Sequence, residues 1–196
     1  FHGDPQHTGV ARGALPERLR LLWARDLHTS IQSGAALADE RIYVGTYDNG
    51  VVALSLAGGR VLWTSPSRQE VTATPLVVGK RIYAGDMSGF FRALDADTGK
   101  EIWNFTAADS ISSSAVMVDN AVIFGSYDST LHCLDSRTGE ERWRFSAPGY
   151  VYASPCVIDN AVAVASCDGV LRLIDVISGD ATESLEVGSI VAASPA

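Results

Sequence analysis

The four tryptophans of the chain, Trp23, Trp63, Trp103 and Trp143, stand forty residues apart. Glycines keep the same period at Gly59, Gly99, Gly139 and Gly179, and again at Gly45, Gly85 and Gly125, with Ala165 in the fourth slot. Leu54, Leu94, Leu134 and Ile174 form a further column, followed by Asp95, Asp135 and Asp175, with Ser55 as the exception. A period that never slips over four copies makes each copy one structural unit of fixed size, stacked on its neighbours.

Each unit carries the pattern of four short strands. In the second copy, residues 71–78, 81–85, 90–95 and 100–105 are rich in β-branched and aromatic side chains and are separated by turn residues. No 3.6-residue apolar pattern competes. The pairs Asp39-Glu40, Gly79-Lys80, Asp119-Asn120 and Asp159-Asn160 suit hairpins that need positive φ. Asp48-Asn49-Gly50, Ser88-Gly89, Asp128-Ser129 and Asp168-Gly169 mark the second connection, and Thr98-Gly99 and Thr138-Gly139 the third. The sequence therefore predicts antiparallel four-stranded meanders. One such sheet cannot bury both faces, whereas radial stacking does so and leaves only short edges, which makes the expected fold an all-β propeller.

The blades are expected at about 31–65, 71–106, 111–146 and 151–187, within a propeller spanning 19–196 behind a lead-in at 1–18. A lone outer strand at 19–25 precedes the four full blades, and a lone inner strand at 190–196 follows them.

The composition narrows the choice of partner. The chain has 196 residues, is 46% hydrophobic and 19% charged, and carries Lys+Arg 15 against Asp+Glu 23, a formal net charge of −8. That balance argues against nucleic acid, because little is present to neutralise phosphates. The longest apolar run, residues 161–165, falls far short of the roughly 20 residues of a membrane helix. Cys133, Cys156 and Cys167 are too few and too scattered for a disulfide framework.

Residues 93–103 (ALDADTGKEIW) and 133–143 (CLDSRTGEERW) resemble the tryptophan-docking motif of the pyrroloquinoline quinone (PQQ) type propeller repeat family. Residues 53–63 are a weaker copy, and in 173–183 the Trp gives way to Glu183. The resemblance covers residue 19 to the end. It implies a blade-docking role for Trp23, Trp63, Trp103, Trp143, Gly59, Gly99, Gly139, Gly179, Asp95 and Asp135, with each Trp on an outermost strand against the neighbouring blade. The opening FHGDPQHTG is similar to the lead-in of secreted propellers of this kind. Family rings close with seven or eight blades, so about 100 to 150 further residues are expected beyond Ala196. An open arc would expose apolar blade faces and favour self-association. WD-repeat propellers share the period, but here each Trp is followed by Ala24, Thr64, Asn104 or Arg144 rather than Asp.

The quinone-dependent members of the family hold PQQ with calcium over the axis, use a catalytic Asp, and often carry a disulfide between adjacent cysteines. This chain has no adjacent cysteines, and its inner strands begin with small neutral residues at 33–35, 73–75, 113–115, 153–155 and 193–195. A calcium site needs carboxylates among its oxygens. Residues 95–99 lack the ligand positions of a calcium loop. His2, His7, His28 and His132 show no metal spacing, with His2 and His7 expected in surface coil, and the inner-strand serines are expected as small filler. No catalytic, cofactor or metal residue is therefore assigned.

The links from each outer strand to the next inner strand carry His28, Arg68, Gln69, Glu70, Asp109 and Tyr150, a candidate binding rim. The expected function is a noncatalytic, extracytoplasmic bacterial propeller, periplasmic or secreted, that presents its loops to a protein or polymer partner. The resemblance to propeller lipoproteins of the outer-membrane barrel-assembly machinery implies the same. The alternatives are a fragment of a PQQ-dependent dehydrogenase, with PQQ and calcium as cofactors, and a ligand-sensing propeller domain of a larger protein.

Overall fold

The computed structural model describes residues 4–7, 18 and 20–188. Among these, sixteen strands form four separate four-stranded sheets, each an antiparallel meander in sequence order. The first sheet comprises β1 (Ala35–Ala38), β2 (Arg41–Gly45), β3 (Val51–Ser55) and β4 (Val61–Ser65). The second holds β5 (Leu76–Val78), β6 (Arg81–Gly85), β7 (Phe90–Asp95) and β8 (Glu101–Thr106). The third holds β9 (Val116–Val118), β10 (Ala121–Gly125), β11 (Thr130–Asp135) and β12 (Glu141–Ser146). The fourth holds β13 (Cys156–Ile158), β14 (Ala161–Ala165), β15 (Val170–Asp175) and β16 (Ala181–Glu186). These are β-propeller blades.

The hairpin residues do what their chemistry allows. Asp39 and Glu40 both take positive φ, as do Gly79, Asp119 and Asp159, so the first turn closes in two residues. At the third turn, Asp95 Oδ1 accepts from the backbone N–H of Thr98 at 2.8 Å and from its hydroxyl at 2.7 Å, while Asp135 Oδ1 accepts from Thr138 N–H at 3.0 Å. An Asp two or three residues ahead of these donors stands in for a backbone carbonyl and fixes the turn. Each blade also carries a bulge between its third and fourth strands, at Ala53/Leu54, Ala93/Leu94, Cys133/Leu134 and Leu173/Ile174.

The core lies between blades. Tyr83, Phe91 and Trp103 of the second blade pack with Val122, Phe124 and Leu134 of the third, and the Phe91 and Phe124 rings stack at 3.9 Å. Ile123, Leu131 and Cys133 pack against Val162, Val164 and Ile174 across the next junction. Tyr43 and Ala53 pack against Ile82 and Leu94 across the first. The second and third sheets are apolar on both faces because each is sandwiched between two others.

Four expectations need correction. The innermost strands are shorter than the apolar runs: β5 begins at Leu76 rather than at residue 71. Pro75 has no N–H to give a ladder, and Thr74 N–H donates sideways to the next blade instead. Residues 20–27 form no strand, although a lone outer strand was expected at 19–25, because no described strand lies alongside to take their backbone hydrogen bonds. The described part of the lead-in is not surface coil. His7 is only 2% exposed, its Nδ1 lies 3.0 Å from the Pro155 carbonyl, and Pro5 and Gln6 carbonyls accept from Met117 and Val157 N–H at 2.9 Å each. The inner-strand edges of the third and fourth blades need backbone partners, and residues 5–7 supply them. His2, the rest of the lead-in and the expected inner strand at 190–196 lie outside the described residues. Finally, the inner serines are not filler, as their hydrogen bonds show below.

Candidate functional site

Each tryptophan sits on the turn of the following blade. The indole N–H groups of Trp23, Trp63, Trp103 and Trp143 donate to the carbonyls of Leu56, Ala96, Ser136 and Val176 at 2.8, 3.0, 3.1 and 2.8 Å. Their rings lie against Gly59, Gly99, Gly139 and Gly179, all at positive φ. Three of the four rise from outer strands at the bulge, where Ala53, Ala93 and Cys133 face Trp63, Trp103 and Trp143. In the fourth blade Glu183 faces Leu173 in that place. Asp95 and Asp135 brace the same turns, and the Arg142 guanidinium 2.6 Å from Asp135 holds that carboxyl well below the usual range.

At the axis, Gly34 N–H donates to Thr74 Oγ1 at 2.9 Å, Thr74 N–H to Ser114 Oγ at 3.0 Å, and Ser114 N–H to Ser154 Oγ at 2.9 Å. Each bond joins residues forty apart, so a chain of hydroxyls runs from blade to blade. These hydroxyls are committed to holding neighbours together. Cys133 is fully buried, and burial pushes its thiol up to about 12, which removes it as a thiolate nucleophile. Cys156 pairs with Ala163 across its hairpin, and Cys167 is half-buried.

Each outer-to-inner link is tied to the second-to-third-strand turn of the following blade. Backbone bonds repeat at the same period: Tyr47, Met87, Tyr127 and Cys167 N–H donate to the carbonyls of Ser30, Glu70, Ser110 and Tyr150 at 2.9–3.0 Å. Arg68 lies over the Phe90 ring at 3.7 Å, and its N–H and that of Gln69 donate to Asp86 Oδ2 at 3.1 and 3.4 Å. Asp109 Oδ1 accepts from Ser110 N–H, and the Asp109 carbonyl accepts from the Ser126 hydroxyl at 3.0 Å. His28 stands out in solvent at positive φ, beside Asp26 at 3.2 Å. Tyr150 is 52% exposed, its ring 5.6 Å from Tyr127, which stacks on Tyr152 at 5.4 Å. Sequence reasoning named Tyr150 and missed Tyr127 and Tyr152, although the two-residue spacing of 150 and 152 on one extended segment puts both on one side. It weighed His132 only as a metal ligand. The rings of Tyr127, Tyr150 and Tyr152 form one aromatic cluster on these segments.

A sequence-family model described as outer membrane protein assembly factor BamB matches residues 14–118 and 88–187. The chain belongs to that family. Among solved structures, BamB from Moraxella catarrhalis superposes with a TM-score of 0.76 at 23% identity, over 84% of this chain and 52% of that one. The quinohemoprotein alcohol dehydrogenase ADHIIG from Pseudomonas putida HK5 superposes with a TM-score of 0.75 at 17% identity, over 85% of this chain and 36% of its own. The computationally designed Ika4 protein gives 0.73 at 19% identity, over 81% of this chain and 99% of its own. At these identities the likeness is one of fold. The chain spans about half the length of the BamB structure. No curated protein matches the sequence.

Proposed function

We propose that the chain is a noncatalytic, extracytoplasmic interaction module of bacterial origin, whose rim binds a protein partner in the manner of an assembly factor. The single observation that supports this most is the rim itself: solvent-facing Tyr150 backed by Tyr127 and Tyr152, with Asp109 on the neighbouring link. Aromatic rings bring large contact area at low entropic cost, and rigid scaffolds with such loops are where recognition is placed. Membership of the BamB family supports a protein rather than a small molecule as the partner. The inner-strand hydroxyls are spent on blade-to-blade bonds, which leaves them a poor ligand set for a quinone–calcium pair. No helix among the described residues is long and apolar enough to cross a membrane.

The test is site-specific photocrosslinking in cells that make the protein. A photoreactive side chain at Tyr150 should give one discrete adduct, lost when Tyr127 is changed to Ala. The same probe at Asp159, in a first-to-second-strand turn, should give none. Equal adducts from both positions would contradict a rim-centred partner.

A further inference from the structure

His132 lies on β11 with its side chain almost fully enclosed, and both ring nitrogens face carboxylates. Nε2 is 3.1 Å from Asp128 Oδ2 and Nδ1 is 2.8 Å from Glu141 Oε1. The two nitrogens point to opposite sides, so the trio does not converge on a common centre where a metal could sit. Ionised carboxylates only accept hydrogen bonds, and a neutral imidazole has one N–H and one bare nitrogen. Only the imidazolium therefore satisfies both partners together.

Asp128 carries a second load. Its Oδ2 also accepts from Ala108 N–H at 3.1 Å, and Ala108 belongs to the link between the second and third blades. One oxygen thus ties the link to His132. The surroundings of the ring are Phe105 of β8 at 5.2 Å and Phe124 of β10 at 5.4 Å, neither charged. From β12 come Glu141 and Arg144, whose Nε stands 4.0 Å from Glu141 Oε2. From the second-to-third-strand turn comes Asp128, and from the link no charged side chain except Asp109, which bonds within its own link. Burial works to raise the Asp128 carboxyl, but the facing His132 and the N–H of Ala108 outweigh it and hold that carboxyl below its ordinary range. A groove of about 310 Å³, lined by Phe105, Thr106, Asp128, His132 and Arg144, opens the ring to solvent protons.

The repeat supplies its own comparison. Position 132 is a column whose other members are Val52, Arg92 and Arg172. Arg172 grips Asp168 through Nη2 and Nη1, the same four-residue offset as His132 on Asp128. Arg92 Nη1 donates to the carbonyl of Pro66, on the link before it. Two blades hold this place with a permanent cation, and the third holds it with an imidazole, whose charge is reversible.

We propose that His132 is a proton-operated clamp between the second and third blades. Protonated, it bridges Asp128 and Glu141 and fixes the link through Ala108. Deprotonated, one nitrogen turns a lone pair toward a carboxylate, one bridge is lost, and the link loosens. The link carries Asp109, so the clamp also governs the rim proposed above, and in that respect alone it rests on that proposal.

The test reads the clamp directly in the full chain. The protonation of His132 is followed by NMR of its ring nitrogens, and amide exchange at Ala108 is followed across the same pH range, as protection corrected for intrinsic rates. Protection at Ala108 should fall by about tenfold or more as pH rises through the His132 titration. H132R should hold that protection constant over the same range, as the column's other cations do. Protection that stays level while His132 titrates would overturn the clamp. So would a ring that remains neutral at low pH, with the proton on a carboxyl instead.

Discussion

The six-membered ring of Trp103 lies where a side chain on Gly139 would have to go: a Cβ built there falls 2.6 Å from Cε3. Gly139 holds φ +79, so an L side chain is strained as well as crowded. The two residues are thirty-six apart and on different blades, and the same fit recurs three times along the chain. Trp103→Ala should cost about 3–5 kcal/mol by opening a cavity between blades. Gly139→Ala should cost about 2–4 kcal/mol from strain and overlap. In the double variant the overlap disappears, so the two losses should fall short of additive by about 1 kcal/mol or more in denaturant melts. Strict additivity would mean that the ring and the glycine do not share this space.

The axial chain of hydroxyls makes a separate prediction. Ser114→Ala removes the acceptor of a buried Thr74 N–H while changing little volume. A buried donor left without a partner costs about 1–3 kcal/mol. Ser112→Ala, two residues away and outside that chain, should stay within about 0.5 kcal/mol. Equal effects in thermal melts would show that the serines are interchangeable filler.

Acid should unpick the fourth blade at a defined place. Arg172, bonded to both carboxylate oxygens of Asp168, lowers that carboxyl to about 2. Its ordinary value, near 3.9, applies in the unfolded chain. A depressed carboxyl stabilises the fold at pH above the unfolded value, and that contribution is lost as pH falls from about 4 toward 2. Asp168→Asn should therefore be less stable than the parent at pH 6, and the gap should narrow across that acid window in urea melts. A gap independent of pH would show that the charge plays no part.

Exposed apolar side chains on either side of the described blades predict how the chain behaves in solution. Leu21, Leu22 and Leu37 are exposed at one end, and Ile177 and Leu185 at the other, where β16 is exposed along its length. Apolar patches of this kind drive association. Sedimentation velocity should show species larger than the monomer whose share grows with concentration. A monodisperse monomer would show that these faces are tolerated open.

How much of this was legible in the sequence follows from what repeats. Trp63 and Gly99 recur in fixed columns because each described blade junction needs the same indole and the same bare turn, and Asp95 recurs as the turn cap except where Ser55 takes its place. The blades could be anticipated from those columns, while the docking role of each tryptophan was implied by the family resemblance. Thr74, Ser114 and Ser154 recur too, but a small polar residue near a narrow axis looks the same whether it fills space or accepts a hydrogen bond, and only the lateral register tells them apart. Residues 19–25 read as a strand because their side chains have strand character, yet a strand also needs a neighbour. His7 was misplaced because a lead-in has no periodicity to show what it covers. His132 stands in a column with Arg92 and Arg172, four residues after Asp128, but it was weighed only for metal-ligand spacing, which does not reveal a carboxylate pairing.

The most direct measurement is a titration of the purified protein with PQQ in the presence of calcium, followed by quinone absorbance. A propeller whose inner hydroxyls tie blade to blade and whose rim serves a protein partner predicts no saturable binding at either metal-free or metal-replete conditions. Stoichiometric, calcium-dependent binding would contradict the interaction-module account and make the chain part of a quinone-dependent enzyme.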